Sequence, residues 1–400
     1  MKTSALILSL LVLVVSGAAC GGRSGMISGG GGDGDGGFVP APDSKVTPAR
    51  CSSLKQAGQA NLEFADSMKM SPRVVWEGKR FATVWHTQPG IISSMNGELR
   101  MARVDNAGKA DKADGVSLGS DDGIMPLAAA AADEKLALVH RPVTNGTNPR
   151  VERRLIDFKA GTTYNAEIKG RFTQAAMVTN GPGHTLLLAE GAGVPRFFQV
   201  TEKGDVTPGD SIITAQVMSS IGLSKRPGGY AAMLHTTNSN GTLHLTSEKG
   251  KSEAQSGIGG GGLIRSVGMV GRPAGFAALY LTSVGQVGVE VFNSLGKQAG
   301  TTTLATAQAS KLAPGRTELV WTGEQLIAVY PSLVTGQYRI RLLSGEGKVE
   351  GKEIQLPNCL ALTSGGVSAT WGHGRLAVAA VNSASGVAKS SVCVTVMECI

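Results

Sequence analysis

The 400-residue sequence predicts an all-β chain assembled from one repeated unit. Three observations predict it. A short, continuous apolar run recurs seven times, beginning at Phe81, Leu136, Thr185, Tyr230, Phe276, Leu326 and Leu376, with steps of 55, 49, 45, 46, 50 and 50 residues. After each of the first six, an alternating run ends in a glycine, at Gly108, Gly161, Gly204, Gly250, Gly296 and Gly347. The composition, 42% hydrophobic with only 4% aromatic residues and 56 glycines, suits many short strands and turns around a sizeable core better than large helices. Seven units of about fifty residues, four strands each and no helical pattern between them, read as a seven-bladed β-propeller of four-stranded blades.

Within the unit, Leu319–Tyr330 is the clearest stretch: two strand-like runs joined by a turn at Thr322–Gly323–Glu324. The same arrangement stands at Val74–Trp85 and, weaker, at Ser368–Val381. In all three a tryptophan (Trp76, Trp321, Trp371) lies five residues before the second run. The second runs are apolar at every position, which fits strands buried on both faces and lying innermost in the blade. The third strands alternate, as in Tyr338–Leu342, and end in type I turns. Asp105, Phe158, Thr201, Ser247, Asn293 and Ser344 stand three residues before the turn glycines. Weaker fourth strands follow, at Gly115–Leu118 in the first copy and Glu353–Leu356 in the sixth. Blades 1 and 2 carry insertions near Gln88–Asn96 and Val143–Pro149.

The seventh copy supplies only three strands before the chain ends, at Val367–Trp371, Leu376–Val381 and Ser391–Met397. An unpaired edge is a hazard. Asn61–Ala65 alternates and precedes blade 1, so it is expected to complete the last sheet and close the ring.

The N-terminus reads as an export signal. Lys2 is followed by an apolar core at Ala5–Val15, too short for a typical membrane span, and then by Gly17-Ala18-Ala19-Cys20. Small residues before a cysteine resemble the bacterial lipoprotein signal, which implies lipidation of Cys20 and membrane attachment through it. Gly17 departs from the usual leucine, and ordinary secretion is the alternative. More than half of 21–37 is glycine, a flexible coil. The expected organisation is a signal peptide over 1–19, a tether over 20–45 and the propeller over 46–400. Gly21 after the cysteine is similar to outer-membrane sorting in enterobacterial lipoproteins. The expected location is therefore the outer membrane, on its periplasmic or surface face.

Four cysteines remain beside Cys20: Cys51, Cys359, Cys393 and Cys399. An even number in an exported chain points to disulfides, and no CxxC pair suggests a metal. Three pairings exist. Ring closure favours Cys51–Cys399 with Cys359–Cys393 and leaves the other two open.

Trp-x-Gly turns before Ala-rich strands, over roughly residues 70–400, resemble the propeller-like lipoproteins of myxobacteria and their relatives. That resemblance implies an envelope address and no defined activity.

The chemistry is sparse. Gly250-Lys251-Ser252 ends like a phosphate loop, but Leu245 stands where glycine is required. Gly366-Val367-Ser368-Ala369-Thr370 lacks the final glycine of a nucleophile elbow. Asn145-Gly146-Thr147 and Asn240-Gly241-Thr242 read as turns. His86, His140, His184, His235, His244 and His373 read as surface and rim residues, too scattered for a metal site. The three tryptophans read as packing beneath the turns in preference to a quinone platform. The net charge of +8 forms no basic block, so no nucleic acid partner is expected.

The sequence therefore points to a monomeric, lipid-anchored binding or scaffold module without cofactor, holding a protein or polysaccharide of the envelope. An enzyme (hydrolase or lyase) acting on envelope polymers and an outer-membrane assembly factor are the rivals.

Overall fold

The structure is a computed structural model of the chain. It describes residues 49–400 apart from 63–66, 90–97, 120–124, 142–149, 191–193, 213–217, 237–240, 259–263, 307–315, 333–336, 361–365 and 384–389. The expected signal, Cys20 and the tether lie outside the described residues, as do both insertions for the most part, the expected turn Asn145-Gly146-Thr147, and Asn240.

Twenty-eight strands form seven antiparallel four-stranded sheets, and no helix occurs among the described residues. Blade 1 is β2 (Ser67–Trp76), β3 (Phe81–Pro89), β4 (Glu98–Val104) and β5 (Val116–Gly119). Blade 2 is β6 (Met125–Ala132), β7 (Lys135–Arg141), β8 (Arg150–Asp157) and β9 (Thr162–Lys169). Blade 3 is β10 (Phe172–Asn180), β11 (Gly183–Glu190), β12 (Arg196–Val200) and β13 (Val206–Ser211). Blade 4 is β14 (Met218–Arg226), β15 (Gly229–Thr236), β16 (Gly241–Ser247) and β17 (Ser252–Ile258). Blade 5 is β18 (Ile264–Arg272), β19 (Gly275–Thr282), β20 (Gln286–Asn293) and β21 (Gln298–Thr306). Blade 6 is β22 (Glu318–Trp321), β23 (Gln325–Pro331), β24 (Gln337–Ser344) and β25 (Val349–Leu360). Blade 7 joins β26 (Val367–Gly372), β27 (Arg375–Ser383) and β28 (Ser390–Cys399) to β1 (Leu54–Leu62) from the other end of the chain.

The first strand of each blade touches the first strands of both neighbouring blades, β22 against β26 and β26 against β2 included, so the ring is closed. This corrects one expectation. The continuous apolar runs are the second strands, and the first strand of each blade lies between them and the axis. The runs are apolar throughout because alternate side chains enter different blade interfaces. Along β27, Leu376, Val378 and Ala380 pack toward blade 6, while Ala377 and Ala379 pack toward blade 1. Seven hydrophobic clusters result, one for each pair of neighbouring blades. A single sheet could bury neither face alone, so the ring is the unit of stability.

The type I turns form as read. The amide of Gly108 donates to Asp105 O at 3.0 Å, and Gly204, Gly250, Gly296 and Gly347 repeat the bond with φ between 74° and 103°. Gly161 differs by one residue, donating to Asp157 O. A side chain there would have to enter the left-handed region.

The closing strand is β1, which pairs with β28 from Leu54↔Cys399 to Leu62↔Val392. It begins earlier than the alternation at Asn61–Ala65 suggests. Only Asn61 and Leu62 are shared, and 63–66 lie outside the described residues. Cys51 and Cys399 form a disulfide across 348 residues of sequence. Cys393 is disulfide-bonded too, and the side chain of Cys359 lies outside the described residues. Beyond the disulfide, the N-terminal strap is clamped onto blade 6. Gln325 accepts from the Cys51 amide at 3.1 Å and donates to its carbonyl at 3.3 Å, and Thr322 Oγ1 donates to Ala49 O at 2.6 Å.

Candidate functional site

Small residues on the axis-lining strands leave a central channel of about 800 Å3. Its wall is Ala128–Ala131 on β6, Ala175 and Ala176 on β10, and Gly222, Gly268 and Ala369 on β14, β18 and β26. Larger side chains on those strands would fill the bore. The volume lies within the range of small-molecule sites, about 300–1,000 Å3.

The two ends of the channel differ chemically. At the ends of the axis strands, by the tight turns into the second strands, stand Trp76, Trp321 and Trp371. Trp76 lies over Gly372, where an added Cβ would come within 2.1 Å of the indole, and stacks with His373 at 6.3 Å. Trp76 and Trp371 are buried in the interfaces of blade 7 with blades 1 and 6. The tryptophans thus pack between blades, as the sequence suggests, and only their edges reach the bore.

At the other end, where the axis strands begin, the polar groups collect. Arg73 on β2 is buried and donates through Nε and Nη2 to Leu127 O (3.3 and 2.9 Å) and through Nη1 to Pro72 O (3.2 Å). Arg316 and Glu318 come from the start of blade 6. Between them, Thr317 is held by Ser266 of blade 5: its amide donates to Ser266 Oγ at 2.8 Å. Ser368 Oγ accepts from the Val74 amide at 3.1 Å. Glu318 is the only carboxylate among the residues lining the channel.

The three charges sense one another. Burial pushes the Glu318 carboxyl up to about 7, although Arg73 and Arg316 both pull it down. Burial lowers Arg73 to about 9, with Arg316 adding repulsion and Glu318 opposing it. Protein surrounds Glu318, yet its side chain stays half-exposed because the bore opens beside it. No ion pair within 4 Å joins these groups. No periodic signal marks them, because each occurs once in the ring.

The histidines correct the sequence reading. His86, His140, His184, His235 and His244 are all buried. Desolvation lowers His86 and His184 to about 4, with Arg153 contributing for His184. His184 sits within β11 and only His373 is in a turn, at φ 51°. Among the described residues no three His, Cys, Asp or Glu side chains gather to hold a metal ion.

No protein-family model matches the chain, and no curated protein matches it in sequence. Solved structures do match in fold. A chain of a mitotic checkpoint complex superposes with a TM-score of 0.51 at 11% identity, over 98% of this chain and 99% of that one. The WD40 domain of coronin from Toxoplasma gondii gives a TM-score of 0.55 at 10% identity, over 88% of each. At such identities the likeness shows the propeller fold alone.

Proposed function

We propose that this chain is a lipid-anchored binding or scaffold protein of the cell envelope, presenting the propeller to a protein or polysaccharide. The observation that carries the binding role is the asymmetry of the ring. On one face the strands are joined by turns of two to five residues, 105–115 excepted; on the other, most connections run from four to eleven residues. A rigid closed scaffold with variable connections on one rim is how a fold without catalytic apparatus acquires specificity. The address rests on Lys2, Ala5–Val15 and Cys20, with the glycine-rich tether giving reach from the bilayer.

A hydrolase of envelope polymers would draw on Glu318, the one observation favouring that reading. Glycoside cleavage by the common routes needs two carboxyl groups flanking the bond. The channel lining offers one, so binding is the better-supported use of the bore.

Two measurements test the proposal. Metabolic labelling with a palmitate analogue should mark the wild type and not Cys20→Ser; an unlabelled wild type would end the anchoring. In cross-linked envelopes, shortening 90–97 and 142–149 to two-residue turns should abolish partner recovery, whereas Lys297→Ala on the tight-turn face should not. Equal recovery from all three proteins would remove the rim as the binding surface. Recovery of a barrel-assembly complex would assign the assembly-factor role.

A further inference from the structure

The charged end of the channel has a feature that packing does not require. Arg316 is exposed, Glu318 is half-exposed, and the side chain of neither makes a hydrogen bond or an ion pair with a described residue. Arg73 is held rigidly by two backbone carbonyls, which orient its guanidinium without neutralising it. Elsewhere in the ring the buried arginines are staples: Arg153 donates to Thr201 O of the next blade, and Arg272 to Gly345 O and Phe292 O. The Arg316 side chain staples no described residue. It extends beside Gly366 of blade 7, where an added Cβ would stand 3.2 Å from its Cδ and where φ is +76°. The backbone there is shaped to let the arginine pass.

Two cations and one carboxylate thus face a bore of ligand size with no side-chain ion pair among the described residues, beside Ser266, Thr317 and Ser368 and with the small apolar wall beyond them. For the buried Arg73 and the half-buried Glu318, uncompensated charge in such a place is costly unless something completes it. A guanidinium offers paired donors that match carboxylate or phosphate oxygens, and a carboxylate beside it accepts from a hydroxyl.

We propose that this end of the channel binds a small hydroxylated organic anion, its carboxylate or phosphate group held by Arg316 and Arg73 and a neighbouring hydroxyl by Glu318. Sugar acids and sugar or polyol phosphates carry that combination, whether free or as the end unit of a polymer. The site goes beyond rim binding and anchoring and does not depend on either. With Glu318 ionised the cluster carries one net positive charge, and with it protonated two. The groups facing Glu318 are Arg73 from β2, Arg316 ahead of β22, and Tyr338 from β24, whose phenol burial keeps neutral. Anion affinity should therefore fall as pH rises through about 7.

The test is calorimetric titration of the full-length, detergent-solubilised protein with glucuronate, glycerol phosphate and neutral glucose. The anions should bind saturably, glucose should not, and Arg316→Gln should weaken the anions at least about tenfold. With glucuronate, which is fully ionised over this range, Glu318→Gln should abolish the weakening between pH 6 and 8. Arg316 is exposed, so its variant should keep the wild-type melting temperature, and circular dichroism checks that. Absence of saturable binding of either anion up to about 10 mM would overturn the proposal, as would equal affinity in Arg316→Gln. Cross-linking glucuronate-terminated and free glucuronate probes in parallel would distinguish a polymer end from a free acid.

Discussion

At the turn end of the axis strand, blades 1, 6 and 7 carry Trp76, Trp321 and Trp371, whereas blades 4 and 5 carry Lys225 and Gly271, each followed by an arginine. In the tryptophan sector the wedge between neighbouring blades is filled by apolar volume: Trp76 against Gly372 and Phe81, Trp371 among the residues shared by blades 6 and 7. In the arginine sector the same region is closed by hydrogen bonds. Arg226 donates to Tyr230 O and Thr246 O, and Arg272 to Phe292 O of its own blade and Gly345 O of blade 6. The position demands that a gap be filled and that carbonyls near it be satisfied, and either chemistry meets the demand. The tryptophan sector is also the one that holds the closure, through β1 and the Cys51–Cys399 bridge.

That difference can be broken most severely at the closure. Cys51→Ser with Cys399→Ser should cost up to about 6 kcal/mol in the chain-entropy account of so long a loop, read from denaturant midpoints. A cost near zero would show that β1 pairing and the Gln325 clamp close the ring unaided. Trp76→Ala should come next, at about 3–5 kcal/mol, since no neighbour can fill the space over Gly372. A loss below about 1 kcal/mol would mean the wedge collapses freely.

Acid should act inside the tryptophan sector and outside both sectors. His86 in blade 1 and His184 in blade 3 are held neutral, at about 4 against an ordinary 6.5. The unfolded chain then takes up the proton first. Their contribution is complete above pH 6.5 and is lost as pH falls toward 4, by up to about 3 kcal/mol each. His86→Gln with His184→Gln should flatten that loss in melts between pH 7 and 4. A finer version separates the two histidines: Arg153→Met should raise the His184 titration and leave His86 unmoved, by NMR, because only His184 feels that guanidinium. The smallest effect is expected from Arg272→Ala, at about 1–3 kcal/mol for two carbonyls left partly unsatisfied. If it equals Trp76→Ala, hydrogen bonding and volume are interchangeable in strength as well as in place.

Much of the ring was legible because the blades repeat. The apolar runs from Phe81 to Leu376 mark the second strands, which must be hydrophobic on both faces to serve two interfaces. The turn glycines are visible because few other residues accept their φ. Legibility fails where a residue is used once. Nothing local to Arg73, Arg316 or Glu318 separates them from solvated charges, and His86 looks like a rim histidine until a neighbouring sheet covers it. The closing strand was found in kind but misplaced, because Leu54–Ala60 is only half-buried and its apolar alternation is faint.

Periodic hydrophobicity and turn chemistry, both local properties, were enough to determine the strand content, the number of blades and the need for a strand from the N-terminus. Which strand lines the axis, which histidines lose their water, and which three charges meet across blades 1 and 6 were decided only by curving the sheets into a ring. Burial and the meeting of distant side chains depend on what the rest of the chain brings alongside, and no local pattern carries that information.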